Sequence, residues 1–445
     1  MLRKREPRAG LPLYGSTAIA HGKMVRAAIQ DRDPIVPSAG LALLFLVLAL
    51  HRIAIPTIPY FDETHYVPAA RKLLELIRVN REHPMFAKEV LAGSITLLGD
   101  RPIAWRLPAL LFGAFGLFAF GRLIWWISAR RIASLAAIVL LATGFTWFVQ
   151  SRIAMLDIFA ASLSLVALWQ FAAAASGRDT WNVRLRLAVS GICLALAMAS
   201  KWSAVPLAIV PGLAFAALWI ARKRSEALAK VSLIEAGFWL GLMPLALYWA
   251  TFTPEFFYPV DDHRASPWGF VALHRDMIAL QDSVTQTHTY QSRFTDWVLN
   301  LRPVWYLYEY IDGAQRGVLL LGNPLTMWLG LPALAWCIRT AIARRRIDAA
   351  VMIGLYTITL GLWVIAPKPI QFYYHYLMPS TFLLGGLALA LDEVARAGRK
   401  GALAAGAVMA GSVGMFAWFY PILSGAELAR GAPAFETWMW LDSWR

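Results

Sequence analysis

The chain has 445 residues, with 42 Lys and Arg against 27 Asp and Glu, a formal net charge of +15. Hydrophobic residues make up 59% and charged residues 16%, with a mean hydropathy of +0.54; soluble domains carry about 25% charged residues. These values exclude an ordinary soluble domain, a disordered chain and a disulfide scaffold. They leave a polytopic membrane protein, whose apolar segments cross lipid as helices of about 20 residues. The surplus of cations points to cytoplasmic loops and not to nucleic acid. Cys193 and Cys337 both sit in apolar runs and read as packing residues.

In chain order, residues 1–38 are basic and rich in Pro and Gly. They read as a disordered cytoplasmic tail before a signal-anchor helix, with no cleavable signal peptide. Apolar runs follow at 39–56, 105–127, 132–150, 153–176, 187–200, 203–221, 231–252, 321–341, 349–366, 370–391 and 402–422. That predicts eleven spans in one all-α transmembrane domain, 39–422, with 423–445 as an outer C-terminal segment. The stretch 84–99 carries Lys88 and Glu89 and is short, so it reads as an interfacial helix. With the N-terminus inside, the inner loops collect Arg130 and Arg131, then Arg178, Arg184 and Arg186, then Arg222, Lys223, Arg224 and Lys230. Arg339 with Arg344, Arg345 and Arg346 follows, then Arg396, Arg399 and Lys400. Each inner loop is basic, as the positive-inside rule requires.

Two outer loops, 57–104 and 253–320, are long and mix acids, His, aromatics and bases; long loops in a folded domain are commonly functional. From Asp62 to Arg78, apolar residues recur at Tyr66, Ala70, Leu73, Leu74 and Ile77, the spacing of an amphipathic helix on the outer surface. Asp62 at its start also suits a helix N-cap.

Polar residues near the outer span ends form one set. Loop one supplies Asp62, Glu63, His65, His83, Lys88 and Arg106. The next outer turn supplies Arg152 and Asp157, which could pair with each other, and a third supplies Lys201 and Trp202. Lys368, Gln371, Tyr374 and His375 come from a late turn. Charges at membrane depth are costly and mark site candidates, although Lys201, Lys368 and Arg106 taken singly would also fit headgroup snorkelling. No Gly-rich phosphate loop or dinucleotide fingerprint is present. Several cations beside a carboxylate pair suit a lipid phosphate and a hydroxyl acceptor. Lys and Arg would hold the phosphate and a carboxylate would take the acceptor's proton. Phosphate leaves without protonation, so the two-acid scheme of glycosidases is not needed.

Seven segments carry a family resemblance. Tyr60-Phe61-Asp62-Glu63-Thr64-His65-Tyr66 resembles the first-loop Asp-Glu motif of the protein O-mannosyltransferases, a family of GT-C membrane glycosyltransferases. His83-Pro84-Met85-Phe86-Ala87-Lys88 is similar to that family's HPPLGK stretch, with Met85-Phe86-Ala87 departing from it. Trp105-Arg106-Leu107-Pro108, the turn Ser151 to Asp157, and Ala199-Ser200-Lys201-Trp202-Ser203 match further motifs, as do Gly322-Asn323-Pro324 and Tyr373-Tyr374-His375-Tyr376-Leu377. His288-Thr289-Tyr290-Gln291-Ser292-Arg293 resembles an H-x-Y-x-S element, which adds Arg293 to the candidates.

The resemblance covers roughly 56–391 and implies a GT-C fold. It implies transfer of one hexose, mannose in this family, with inversion, from a polyprenyl-phosphate sugar, and no metal or other cofactor. By similarity, Asp62 would be the base and Glu63 would support it. Lys88, Arg106 and Lys201 would contact the donor phosphate or shape its pocket. Arg152 and Asp157 would organise the second outer loop. Loop 253–320 is too short for the β-trefoil of eukaryotic members, so the chain looks bacterial, an inner-membrane enzyme with its site on the periplasmic side. The expected acceptor is Ser or Thr of protein. Lipid A or another envelope glycan is the alternative, since a related branch moves aminoarabinose from undecaprenyl phosphate to lipid A and has a metal site. Here Glu82 with His263 or His274 would be the nearest to a metal pair. A transporter or flippase of lipid-linked sugar is the reading from another class, but no internal repeat supports it.

Overall fold

The computed structural model describes residues 33–77, 80–177, 179–258, 265–366, 368, 370–429 and 434–445. Tail residues 1–32, Arg78, Arg178 and His263 lie outside the described residues.

Every apolar run in the sequence carries a helix. Helix α1 is Ile35–Leu50; α2 (Glu63–Leu74) and α3 (Phe86–Leu98) lie in loop one, 57–104. Then come α4 (Pro102–Ser128), α5 (Arg131–Ala142), α6 (Phe145–Gln150), α7 (Asp157–Ala175) and α8 (Thr180–Ser200). Helices α9 (Val205–Ile220) and α10 (Leu233–Ala250) follow, the latter with a π-turn at Phe238–Leu242. The long segment 253–320 holds α11 (Phe270–Asp282) and two strands, β1 (Val304–Ile311) and β2 (Ala314–Leu320). Helices α12 (Pro324–Arg344), α13 (Ile347–Ile365), α14 (Leu377–Arg396) and α15 (Arg399–Ser424) complete the bundle, before a short strand β3 (Glu427–Leu428). Among the described residues, nine helices are long and apolar enough to cross a membrane, and α1 and α5 are shorter apolar helices. The protein is a multi-pass membrane protein.

Chain chemistry sets the helix ends. Proline occupies the first helical position of α4 and α12, where its missing N–H is harmless. Asp179 caps α8 by accepting from the Asn182 amide. Gly398 and Gly425 bracket α15 at φ values of 109° and 68°, which L side chains rarely adopt.

Four expectations are corrected. Residues 35–38 belong to α1 and not to a tail, because the Asp33 carboxylate accepts from the Ile35 amide and opens the helix. The loop-one helix stops at Leu74 instead of reaching Arg78, since Leu76 turns left-handed at φ 54°. The run 132–150 breaks at Thr143 and Gly144, because Asn323 Nδ2 reaches the Thr143 carbonyl at 3.1 Å. The fold is helical but not all-α: β1, β2 and β3 form an antiparallel sheet in that order. Asp312 and Gly313 both have positive φ, 49° and 75°, and make the two-residue turn between β1 and β2. The Asp312 carboxylate then takes the Thr57 amide at 2.9 Å and its hydroxyl at 2.6 Å, tying the hairpin to loop one.

Helices α4, α7 and α14 form the buried centre. Close approach of α4 and α7 depends on small residues, the usual device where lipid supplies no hydrophobic drive. A Cβ at Gly116 would lie 2.9 Å from the Ser162 Cα, and one at Gly113 would collide with the Ser151 side chain. At the opposite end of the bundle from loop one, Arg130 holds Asp392 (2.6 Å) and Glu393 (2.9 Å). Arg344 and Arg346 also reach Glu393, and Arg396 reaches Asp392. These basic turns are thus cross-linked to the foot of α14. At the loop-one end, Trp444 is buried, with its indole N–H on the Asn300 carbonyl at 2.9 Å.

Gly116→Ala should push α4 off α7 and cost about 1–3 kcal/mol, the usual scale of overpacking. Thermal unfolding in detergent measures it. Gly93→Ala, where a Cβ meets nothing within 4 Å, should not lower the midpoint and should raise it slightly, since Ala is the better helix former by about 1 kcal/mol.

Candidate active site

Loop one turns on a buried ion pair. Glu63 and Arg106 both have fully buried side chains. Arg106 Nε and Nη2 donate to the two Glu63 oxygens at 2.8 Å each. Nη1 donates to the Ile53 and Pro56 carbonyls at 3.0 and 2.7 Å, and Nη2 also reaches Ile58 O at 3.0 Å. All five guanidinium donors are used. The Glu63 carboxylate accepts two more bonds, from the Ala154 amide at 2.9 Å and the Tyr60 amide at 3.3 Å. Arg106 therefore has no guanidinium N–H left over in this arrangement, and Glu63 is not a free carboxylate. Together they fix 53–63 against the 151–156 turn.

Phe61 turns the chain just ahead of the two neighbouring carboxylates. Its backbone is left-handed at φ 49°, and its ring stacks on Tyr306 of β1 with centroids 3.9 Å apart. A bulky residue adopts this conformation only when its surroundings impose it. Glu63 enters the Arg106 socket, while Asp62 meets a different set of charges. Asp62 sits at the N-cap position, but its backbone is helical (φ −68°, ψ −11°) and its side chain caps nothing, so the N-cap reading fails. Burial raises the Asp62 carboxyl to about 6; Lys201, His65 and Lys368 draw it down, and Asp157 pushes it up.

The second centre is Asp157–Lys201. Asp157 opens α7, and Lys201 ends α8 in extended backbone. Lys201 Nζ lies 2.8 and 2.7 Å from the two Asp157 oxygens and 5.0 Å over the Tyr374 ring. Asp157 thus pairs with Lys201 and not with Arg152. Arg152 instead donates to carbonyls at two helix ends: Ala49, His51 (2.8 Å) and Arg52 (3.3 Å) after α1, and Ser424 (3.2 Å) at the end of α15. Its charge meets the negative ends of those helix dipoles.

Lys88 is buried, with Nζ on the carbonyls of Asn80 (2.8 Å) and His83 (2.9 Å), so it holds the 80–83 turn. Burial and the nearby Lys201, Lys368 and Lys88 charges push His83 well below its ordinary value, leaving a neutral imidazole edge-on to Tyr66. Lys368 is drawn down to about 8 by burial and by Lys201. His65 is exposed on α2. Arg293 is exposed at the start of a short helix, where its amide donates to Asp296 at 2.8 Å; no contact among the described residues joins it to Asp62. His375 is buried, with Nδ1 accepting from the Phe372 amide at 3.0 Å.

Asp62, His65, His83, Asp157, Lys201 and Tyr374 thus converge, and Lys368 joins them. Lys88 supports the turn beside this group, while Glu63, Arg106 and Arg152 form its scaffold. Sequence reasoning missed Tyr306, whose buried hydroxyl accepts from Gln150 Nε2 at 3.0 Å. Burial and the Asp157 and Asp62 charges keep that phenol well above its usual value, hence protonated. The alternating aromatics of Val304–Ile311 were the available signal. Asn323 is structural: Nδ2 binds the Thr143 and Ser412 carbonyls. His274 faces Tyr248 at 2.7 Å, while Glu82 accepts from Asn80, so the Glu82–His274 metal pair does not form. Among the described residues no group of three or more His, Cys, Asp or Glu could hold a metal.

Two family models match the chain. Residues 101–258 match "Dolichyl-phosphate-mannose-protein mannosyltransferase", and residues 268–444 match "C-terminal four TMM region of protein-O-mannosyltransferase". A polyprenol-phosphate-mannose–protein mannosyltransferase of Mycobacterium tuberculosis is 27% identical, over 87% of this chain and 87% of its own length. Its counterpart from Mycolicibacterium smegmatis is also 27% identical, over 93% and 95%. Among solved structures, the S. cerevisiae protein O-mannosyltransferase Pmt1-Pmt2 complex bound to the sugar donor aligns with a TM-score of 0.82 at 16% identity, covering 96% of this chain and 94% of that one. ArnT from Cupriavidus metallidurans aligns at 0.56 and 15% identity, covering 87% and 76%. At these identities the structures establish the shared fold. With both family models matched along the chain and relatives aligned over nearly all of it, the protein belongs to the protein O-mannosyltransferase family of membrane glycosyltransferases.

Proposed function

We propose that the chain transfers mannose from a polyprenol-phosphate donor to a Ser or Thr hydroxyl of protein, on the periplasmic face of a bacterial inner membrane. The observation that carries this reading is Asp62: a half-buried, raised carboxyl with no capping duty, beside Lys201 and Lys368, while Arg106 and Arg152 are spent on the scaffold. The acceptor oxygen attacks the sugar's anomeric carbon from the face opposite the phosphate. The bond from that carbon to the phosphate oxygen breaks, its electron pair leaves with the phosphate, and the configuration inverts. The acceptor's proton goes to Asp62. A base near 6 is a stronger acceptor than an ordinary carboxylate yet is ionised at neutral pH. Lys201 and Lys368 supply charge to the leaving phosphate, and neutral His83 and the Tyr306 phenol line the space around them. Mannose itself and the protein acceptor rest on the named relatives.

Labelled polyprenyl-phosphate mannose, offered with envelope extract to the purified protein, tests the reading. Label on protein supports it. Label on a glycolipid would mean an envelope-glycan acceptor, and binding without transfer a carrier for the lipid. Asp62→Asn should cut turnover by about 10²–10⁴-fold, the usual share of a general base, while leaving the thermal midpoint near wild type. Glu63→Gln should do the reverse in kind: it strands Arg106 and costs about 3–5 kcal/mol of stability, seen as a lowered midpoint. The pH profile of kcat/KM should be bell-shaped. Activity falls as pH drops through about 6, where Asp62 gains its proton, and falls again above about 8, where Lys368 loses its charge. Lys368→Arg should carry the alkaline limb upward; an unmoved limb would assign it elsewhere.

A further inference from the structure

A cavity of about 20 Å3 lies behind the Asp157–Lys201 pair, walled by Asp157 and Ser164 of α7, Ser203 before α9, Thr359 and Trp363 of α13, and His375 at the head of α14. One water needs roughly 10–15 Å3 and two to four polar partners. Two polar atoms of this wall, Ser164 Oγ and His375 Nε2, are buried without a hydrogen-bond partner among the described residues. Both residues are almost fully buried, at 1% and 3% exposure.

The direction of the missing bond follows from the other side of the ring. His375 Nδ1 accepts from the Phe372 amide, so a neutral imidazole carries its proton on Nε2 and needs an acceptor there. The Trp363 ring, 3.9 Å away centroid to centroid, packs against the imidazole, so the ring cannot readily turn to another partner. Across the cavity, Asp157 spends one lone pair per oxygen on Lys201 and keeps others. The geometry points to one ordered water in this cavity that accepts from His375 Nε2–H and donates to the Asp157 carboxylate. His375 is then a positioning residue. It never meets the donor; it steadies, through water, the carboxylate that aims Lys201. This assignment rests on the proposed function only in placing Lys201 against the donor phosphate.

The test uses full-length protein in detergent and polyprenyl phosphate without a sugar as the probe, so it does not depend on transfer. His375→Phe removes the donor. Ala161→Val, on the cavity wall, crowds out the water and leaves every polar group in place. Both should weaken polyprenyl-phosphate binding about five- to tenfold, the scale of one hydrogen bond. Where transfer is measurable, donor KM should rise by the same factor with kcat within about twofold. His375→Gln, whose amide still donates, should recover most of the affinity. Wild-type affinity in a folded Ala161→Val protein would overturn the proposal, whatever happens to His375→Phe. A solvent-resolving map of the wild-type protein should show a single density peak within hydrogen-bond reach of His375 Nε2 and the Asp157 carboxylate; an empty cavity, or density continuous with a lipid chain, would overturn it as well. Absence of mannosyl transfer by wild type would count against the proposed function and leave both of these readouts standing.

Discussion

The buried Glu63–Arg106 pair is the constraint on which the outer face depends. Removing two charges from water is expensive, and their attraction repays it only when the remaining donors and acceptors are also satisfied. Here they are: Arg106 places all five donors, and Glu63 accepts from two backbone amides besides. The bonds run to Ile53, Pro56, Ile58, Tyr60 and Ala154, so one ion pair sets the path of loop one and its seat on the next outer turn. Arg152 does similar work one layer away, by gathering the carbonyl ends of α1 and α15.

That scaffold leaves a clear division of labour among the charges. Arginines, with planar forks suited to several carbonyls at once, serve the architecture. The proposed site uses lysines, a carboxyl and neutral rings: Lys201, Lys368, Asp62, His83 and Tyr306. Compact ammonium charges on flexible stems suit a phosphate that must arrive and leave. Left-handed Phe61 turns the chain just ahead of this division, and from adjacent positions after it Glu63 meets Arg106 while Asp62 meets the lysines. The β-hairpin supports this from outside. Tyr306 braces Phe61, and Asp312 at the tip holds Thr57, so both ends of the critical turn are pinned by one local structure.

Much of this was legible in the linear chain. Hydropathy located the apolar helices of the bundle, and the short apolar stretch at 84–99 emerged as a helix without spanning length, Phe86–Leu98. The motif residues that meet around Asp62 were named in advance, although they come from segments far apart. What could not be read was which partner each charge would choose. Arg152 and Asp157 are five residues apart and of opposite sign, yet they do not pair, because Lys201 from α8 and the helix ends of α1 and α15 compete better in three dimensions. The hairpin was taken for loop because its aromatic alternation sits in a long polar segment, where a turn such as Asp312-Gly313 is a weak local signal.

The sequence by itself determined the solvent. A composition so poor in charge must place its segments in lipid, and lipid demands helices, since every backbone polar group must be satisfied within its own segment. It also determined which residue types were available for chemistry at the outer ends. Only the tertiary structure decided their roles. Exposure, desolvation and hydrogen-bond saturation are properties of a packed environment, not of a residue or its spacing. Asp62 and Glu63 are adjacent and chemically alike, and what separates the proposed proton acceptor from a structural strut is that Arg106 reached one of them and not the other.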